Sequence, residues 1–282
     1  MELHNSGAEI YVPDGSPVKV ALSRTTHLGV SAHQDDLEIM AYHGILECFG
    51  KQDKGFAGVT VTNGAGSPRD GLYGKYTDDE MQVVRRKEQK KAAFVGEYSA
   101  QVFLDYSSSA VKDPKNLDLV ADMKLIIAAS KPQVIYTHNL ADKHDTHVAT
   151  TLRVMRAVRE LPADSRPQHI YGCEVWRNLD WLNDDDKVVF NVEAHENLAM
   201  SLVGVFDSQV AGGKRYDLAT MGRRRANATY LASHGVDEST ALIFATDLTP
   251  LMNDQQFDPV KYVQGFVDHF AKEVSGRITK LA

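Results

Sequence analysis

The chain has 282 residues, 43% of them hydrophobic, enough for the core of one large α/β unit or two small ones. Its formal charge of −7 disfavours a nucleic-acid partner, which would call for a basic surface. No apolar run reaches the ~18 residues of a membrane span, the two cysteines make neither a disulfide framework nor a CxxC, and MELHNSGAEIYV has no basic-then-apolar leader; a cytoplasmic protein is the expectation.

Residues 9–22, EIYVPDGSPVKVAL, read as two short strands around a PDGS turn. HLGVSA (27–32) is an apolar strand, and residues 36–49 are helical. AGVTVT (57–62) is a second strand of the alternating series. TDDEMQVVRRKEQKKAAFVG (77–96) reads as a helix, with Thr77 as N-cap and Glu80 as its capping-box partner. QVFLDY (101–106) follows as a strand, then a helix over 116–130, where Leu119, Met123, Ile126 and Ile127 fall at helical spacing. PQVIYTH (132–138) is the fourth strand. Residues 145–160 put Val148, Leu152, Met155 and Val158 on one helical stripe. This alternation predicts an α/β fold, a mostly parallel sheet with helices on both faces. Beyond it the pattern is less regular: strands at 169–176 and 188–192, helices at 194–204 and 216–233, and a last helix marked by Phe266, Val267, Phe270 and Val274. No linker, repeat or low-complexity segment interrupts the chain, so a single domain over 1–282 is expected, with residues 211–282 as an elaboration. The Gly-rich segment 66–76 is long enough for a lid.

In open α/β sheets ligands bind beyond the carboxyl ends of the strands. His33, Asp35 and Asp36 lie beyond the strand 27–32, and THNLADKHDTH (137–147) lies beyond the strand 132–138. If these strands are neighbours across the switch point, His33, Asp36 and His147 meet at one spot. Two imidazoles and a carboxylate suit a catalytic zinc ion that keeps a position for water. Such water can fall to a pKa near ~7, and a carboxylate that is not a ligand can take its proton. The adjacent aspartates then divide the work. An Asp-Asp pair alone is more often an N-cap with dipole-favoured charge, and a short-spaced histidine pair is weak by itself; their joint position at two strand ends is what carries the reading. Ligand type leaves iron or manganese open as the native metal.

AHQDDLE (32–38) resembles the AHPDDxE signature of the PIG-L/LmbE-like zinc-dependent N-deacetylases. TNGAGS (62–67), RRKE (85–88), VFLDY (102–106), HDTH (144–147) and FDSQV (206–210) resemble, in order, that family's T-x-G, R-x-x-E, strand-ending aspartate, HPDH and H-x-SQ segments. The resemblance spans about residues 25–210. It implies a Rossmann-like three-layer fold and removal of an N-acyl group, usually acetyl, from a small molecule containing a glucosamine-type sugar. It assigns the metal to His33, Asp36 and His147, the proton-accepting role to Asp35, and an acid or oxyanion-stabilising role to His144. Arg85 and Asp105 fall where substrate would bind; their plainer readings are a helix-face pair with Glu88 and a turn cap. Ser208 and Gln209 read as buttresses, and Trp176 and Trp181 as buried rings or sugar-stacking ground. Arg223–Arg225 read as a solvated helix face or an intersubunit contact in a homo-oligomer. Two positions depart from the family pattern. Gln34 stands for a proline, and Thr146 for the aspartate that orients His144, a place Asp142 or Asp145 could fill. Two rivals follow: an amidase on another sugar-linked amide, of thiol-conjugate type, which the acyl pocket would decide, and a non-catalytic metal-dependent carbohydrate-binding protein, which retention of Asp35 argues against.

Overall fold

The structure is a computed structural model that describes residues 1–253 and 258–282. Its strands are β1 (Glu9–Tyr11), β2 (His27–Ser31), β3 (Phe56–Thr62), β4 (Ala100–Tyr106), β5 (Val134–His138), β6 (His169–Cys173), β7 (Val188–Asn191) and β8 (Leu242–Asp247). The helices are α1 (Val18–Ser23), α2 (Asp36–Met40), α3 (Tyr42–Cys48), α4 (Asp78–Val95), α5 (Ser108–Lys112), α6 (Leu117–Ser130), α7 (Asp145–Arg159), α8 (Glu196–Gly204), α9 (Asp207–Val210), α10 (Tyr216–Tyr230), α11 (Thr249–Asn253) and α12 (Pro259–Leu281).

All eight strands join one sheet in the order β1-β4-β3-β2-β5-β6-β8-β7. β2 to β6 are mutually parallel, while β1, β8 and β7 pair antiparallel with β4, β6 and β8. Every residue of β2 and of β3 is buried, as expected of parallel strands covered on both faces. Side chains alternate between two apolar cores. Leu28, Val59 and Ile135 pack with α1, α6 and α7 on one face, and Phe56, Tyr136 and Cys173 pack with α2, α3, α4 and α8 on the other. The mostly parallel sheet between two helical layers is the fold read from the sequence. The chain steps from β2 to β3 on one side and returns to β5 on the other, so β2 and β5 flank the switch point.

Two local differences from the sequence reading have physical causes. Residues 9–22 are not a hairpin: β1 bonds to the edge of β4, and residues after Pro17 turn into α1, which buries Ala21 and Leu22. Proline at a helix start suits that outcome, since it gives up only a donor that has no partner there. The helix expected over 36–49 divides at Ala41, whose φ of −105° and ψ of 16° leave the helical range. The capping box of α4 is formed as read, Thr77 accepting from the Glu80 N–H and Glu80 from the Thr77 N–H.

Candidate active site

The turn after β2 carries unusual backbone. Asp35 has φ 88° and ψ −29°, a left-handed conformation that costs a non-glycine residue about 1–3 kcal/mol. Three contacts hold it there. The Asp35 N–H donates to Gln89 Oε1 at 3.2 Å, Arg85 donates to Asp35 Oδ2 at 2.8 Å, and the same guanidinium donates to the Gln34 carbonyl. Gln34 compensates for the missing proline with its own tether, its amide donating to Thr62 O at 3.0 Å. Gly64, at φ 81°, accommodates it: a Cβ there would lie 2.7 Å from Gln34 Oε1. Asp35 sits at the N-cap of α2, yet its carboxylate caps nothing. It faces Arg85 instead.

The switch point brings Asp36 and four histidines together. His33 Nδ1 is 3.1 Å from His147 Nε2, and Asp36 Oδ2 is 3.3 Å from the former and 3.4 Å from the latter. A tetrahedral zinc ion with ligands ~2.1 Å away sets ligand-to-ligand edges of about 3.4 Å, so this triangle fits such an ion. Among the described residues, two overlapping groups have all their ligand atoms within 4.8 Å: His33, His144 and His147, and Asp36, His138 and His147. His138 is the weaker candidate. Its Nε2 already accepts the Ala32 N–H at 2.8 Å, which uses the ring's one lone pair in the neutral form. It stacks on His147 with ring centroids 3.8 Å apart and so positions that ring. The sequence reading passed over His138, although a histidine ending a buried parallel strand at the switch point was itself a signal.

Electrostatics separate the groups further. Burial pushes the Asp36 carboxyl up, but the His147, His138 and His33 imidazoles reverse this and hold it far below the usual range. Burial lowers His147, yet Asp36 and Asp142 outweigh it and leave the ring raised. Asp142 lies 3.5 Å from His147 Nδ1 and accepts the His144 and Trp176 N–H groups. It therefore backs His147 and ties down the loop, whereas among the described residues no carboxylate hydrogen-bonds to the His144 ring. Asp145 is exposed. Burial, then the charge of His147 and His33, lowers His144 to about 4. These surroundings disfavour a His144 cation.

Asp35 behaves oppositely. Burial raises its carboxyl to about 7, with Arg85 opposing and Asp36 reinforcing. The arrangement can hold a divalent cation and place beside it a carboxylate able to exchange protons near neutrality.

Residues 28–158 match the family model described as PIG-L, GlcNAc-PI de-N-acetylase. This stretch is a PIG-L family domain. Solved structures similar to most of the chain include 4-carboxy-2-hydroxymuconate hydratase from Pseudomonas putida (TM-score 0.62, 14% identity, covering 79% of this chain and 96% of that one). N,N'-diacetylchitobiose deacetylase from Pyrococcus horikoshii is also similar (TM-score 0.58, 17% identity, 77% and 82%), as is the A40926 pseudoaglycone deacetylase (TM-score 0.56, 18% identity, 79% and 97%). At such identities the likeness concerns the fold. No curated protein matches the chain.

Within and beyond the PIG-L domain, the other residues singled out in the sequence divide. Arg85 is 1% exposed, and its two terminal nitrogens donate to Asp35, Gln34 O, Glu88 at 3.2 Å and Ser208 at 3.5 Å. It is not a solvated helix residue: it holds Asp35 and borders the cleft. Glu88 accepts the Ser208 N–H and hydroxyl, both at 2.7 Å, so Ser208 does buttress the site. Asp105 is not brought to the cleft. Its carboxylate accepts from Arg86 at 2.5 Å and its carbonyl from Asn5 at 2.7 Å, which anchors the N-terminal segment. Arg224 is no solvated residue either. It is buried under Tyr42 and donates to the Glu38 and Ile39 carbonyls, terminating α2.

A cleft of about 340 Å³ opens over His33, Asp35, Asp36 and His144. Gly66, Ser67 and Pro68 border it, while Arg69 is turned to Asp78 and to the Ala65 and Tyr76 carbonyls. Trp176 lines the cleft with Lys214 over its ring at 5.1 Å, whereas Trp181 packs against a separate apolar cluster. Lys214 and Tyr216, at the entry to α10, escaped the sequence reading because that stretch carries no motif.

Proposed function

We propose that the protein is a metal-dependent N-deacylase of small molecules containing an amino sugar. The observation that carries this is the placement of the Asp35 carboxylate, raised to about 7, beside the His33, Asp36 and His147 triangle in a polar cleft. The PIG-L match and the deacetylases among the similar folds support it. The hydratase among them means that the fold does not by itself choose amide hydrolysis over water addition.

His33, Asp36 and His147 would hold zinc, which supplies Lewis acidity to the amide carbonyl and lowers the pKa of water. Asp35 takes a proton from the attacking water and delivers it to the amide nitrogen, so that the amine can leave. Arg85 keeps the carboxylate aimed and adjusts its basicity. Neutral His144 donates a hydrogen bond to the oxygen that becomes negative in the tetrahedral state. Trp176 offers an apolar face to the sugar ring. The triangle's edges suit zinc, and the same donors would also take iron or manganese.

The test is amine release from a panel of N-acetylglucosamine conjugates by the zinc-loaded protein, with water addition to unsaturated carboxylic acids assayed in parallel. Amine release is expected. Water addition without amine release would replace this reading with a hydratase.

A further inference from the structure

We propose that the hollow behind the paired aspartates is the acyl pocket, and that it suits an acyl chain of about four carbons better than acetyl. The proposal rests on the deacylase reading and refines its substrate class.

The hollow has a volume of about 110 Å³ and shares Asp35, Asp36, Trp176 and Tyr216 with the larger cleft, so the two meet at the reacting groups. Its walls differ from those of the cleft. Ile39, one turn past Asp36 in α2, Val175, just beyond β6, and Ala219 and Thr220 of α10 contribute mainly carbon. Ile39 and Val175 are each 8% exposed. Arg223 also borders the hollow, but its guanidinium donates to the Val175 carbonyl. The larger cleft instead carries Ser67, Ser108, Lys112, Gln209 and Lys214. An N-acyl amino sugar has the same asymmetry about its amide bond, polar and bulky on nitrogen, apolar on carbon. Matching polarity puts the sugar in the cleft and the acyl chain in the hollow.

Size supplies the second half of the argument. An apolar cavity of about 150 Å³ accepts a benzene ring. On that scale the hollow takes an acyl group of about four carbons, carbonyl included, against the two of acetyl. Each methylene moved from water to an apolar wall is worth about a fourfold gain in kcat/KM if it is also buried in the transition state.

The experiment measures kcat/KM for amine release from N-acetyl-, N-propionyl-, N-butyryl- and N-hexanoylglucosamine by the zinc-loaded full chain and by Ala219→Leu. Ala219 is exposed at the rim, so this substitution narrows the hollow without disturbing the core. The expected profile rises about fourfold per methylene to butyryl and falls at hexanoyl, and Ala219→Leu flattens the rise. Ile39→Ala moves the optimum to a longer chain. Hydrolysis of the acetyl substrate with no gain for butyryl overturns the inference and leaves the deacylase reading standing. No amine release from any of the four overturns both.

Discussion

Arg85 and Asp35 form an ion pair of 2.8 Å whose side chains are 2% and 8% exposed. A buried pair of this kind is poor evidence for stability, because desolvation offsets most of the attraction. Its value here is directional: it holds a carboxylate in a strained left-handed turn and faces it to the cleft. Asp35→Asn is expected to lower kcat/KM by about 10²–10⁴, the range of general acid–base catalysis, with zinc content unchanged. Because the ionised form is the active one, activity falls as pH drops through the Asp35 pKa. That limb lies above the ordinary 3.8. Arg85→Lys weakens the attraction that lowers this pKa and moves the limb to higher pH, measurable in a kcat/KM profile.

The His33, Asp36, His147 triangle and the Asp36, His138, His147 group make different claims about the ligand set. If His33, Asp36 and His147 bind the ion, His147→Ala abolishes stoichiometric zinc. His138→Ala then lowers affinity by only about 10–100-fold, as expected of a residue behind a ligand. Zinc titration with a competing chelator reads both. Loss of stoichiometric zinc in His138→Ala, with retention in His33→Ala, would assign the site to Asp36, His138 and His147.

Asp142 serves His147 rather than His144. Asp142→Asn should therefore weaken zinc binding by about 10–100-fold and leave the shape of the pH profile at saturating zinc unchanged. A shifted profile with unaltered zinc affinity would return Asp142 to His144.

Most of the fold was legible because β2 to β5 and α4 to α7 alternate with clear periods and caps. β8 was missed: its run, LIFATD, follows the polar stretch SHGVDESTA and is short enough to suit a helix as well as a strand. The meeting of His33, Asp36 and His147 was legible because the segments that carry them leave the carboxyl ends of the neighbouring strands β2 and β5. The site was not legible where function depends on what a side chain faces. Arg85 and Asp105 occupy similar places in the motif set, yet one points into the site and the other clasps the N-terminal segment. Helical periodicity could not reveal that Arg85 and Arg224 are buried cations, since a charged residue in a helix is ordinarily read as solvated.

Glu38 gives a test of the core independent of catalysis. It is fully buried, accepts from Tyr98 and Gln89 at 2.7 Å each, and burial raises its carboxyl to about 7. An unfolded chain releases that proton near the ordinary 4.5. Between the two values the unfolded state binds fewer protons than the native one, so stability falls as pH rises, by ~3 kcal/mol once both forms are ionised. Chelated Glu38→Gln lacks this loss. Urea unfolding at pH 4.5 and pH 8 should show the variant gaining on the parent at pH 8; an equal difference at both pH values would contradict the raised pKa.

Zinc titration of the chelated protein, followed by amine release from an N-acylglucosamine, tests the central claim most directly. The account predicts no release without metal and recovery that saturates at about one ion per chain, as a single three-ligand site requires. Undiminished release after chelation, or none at any zinc concentration, would contradict it.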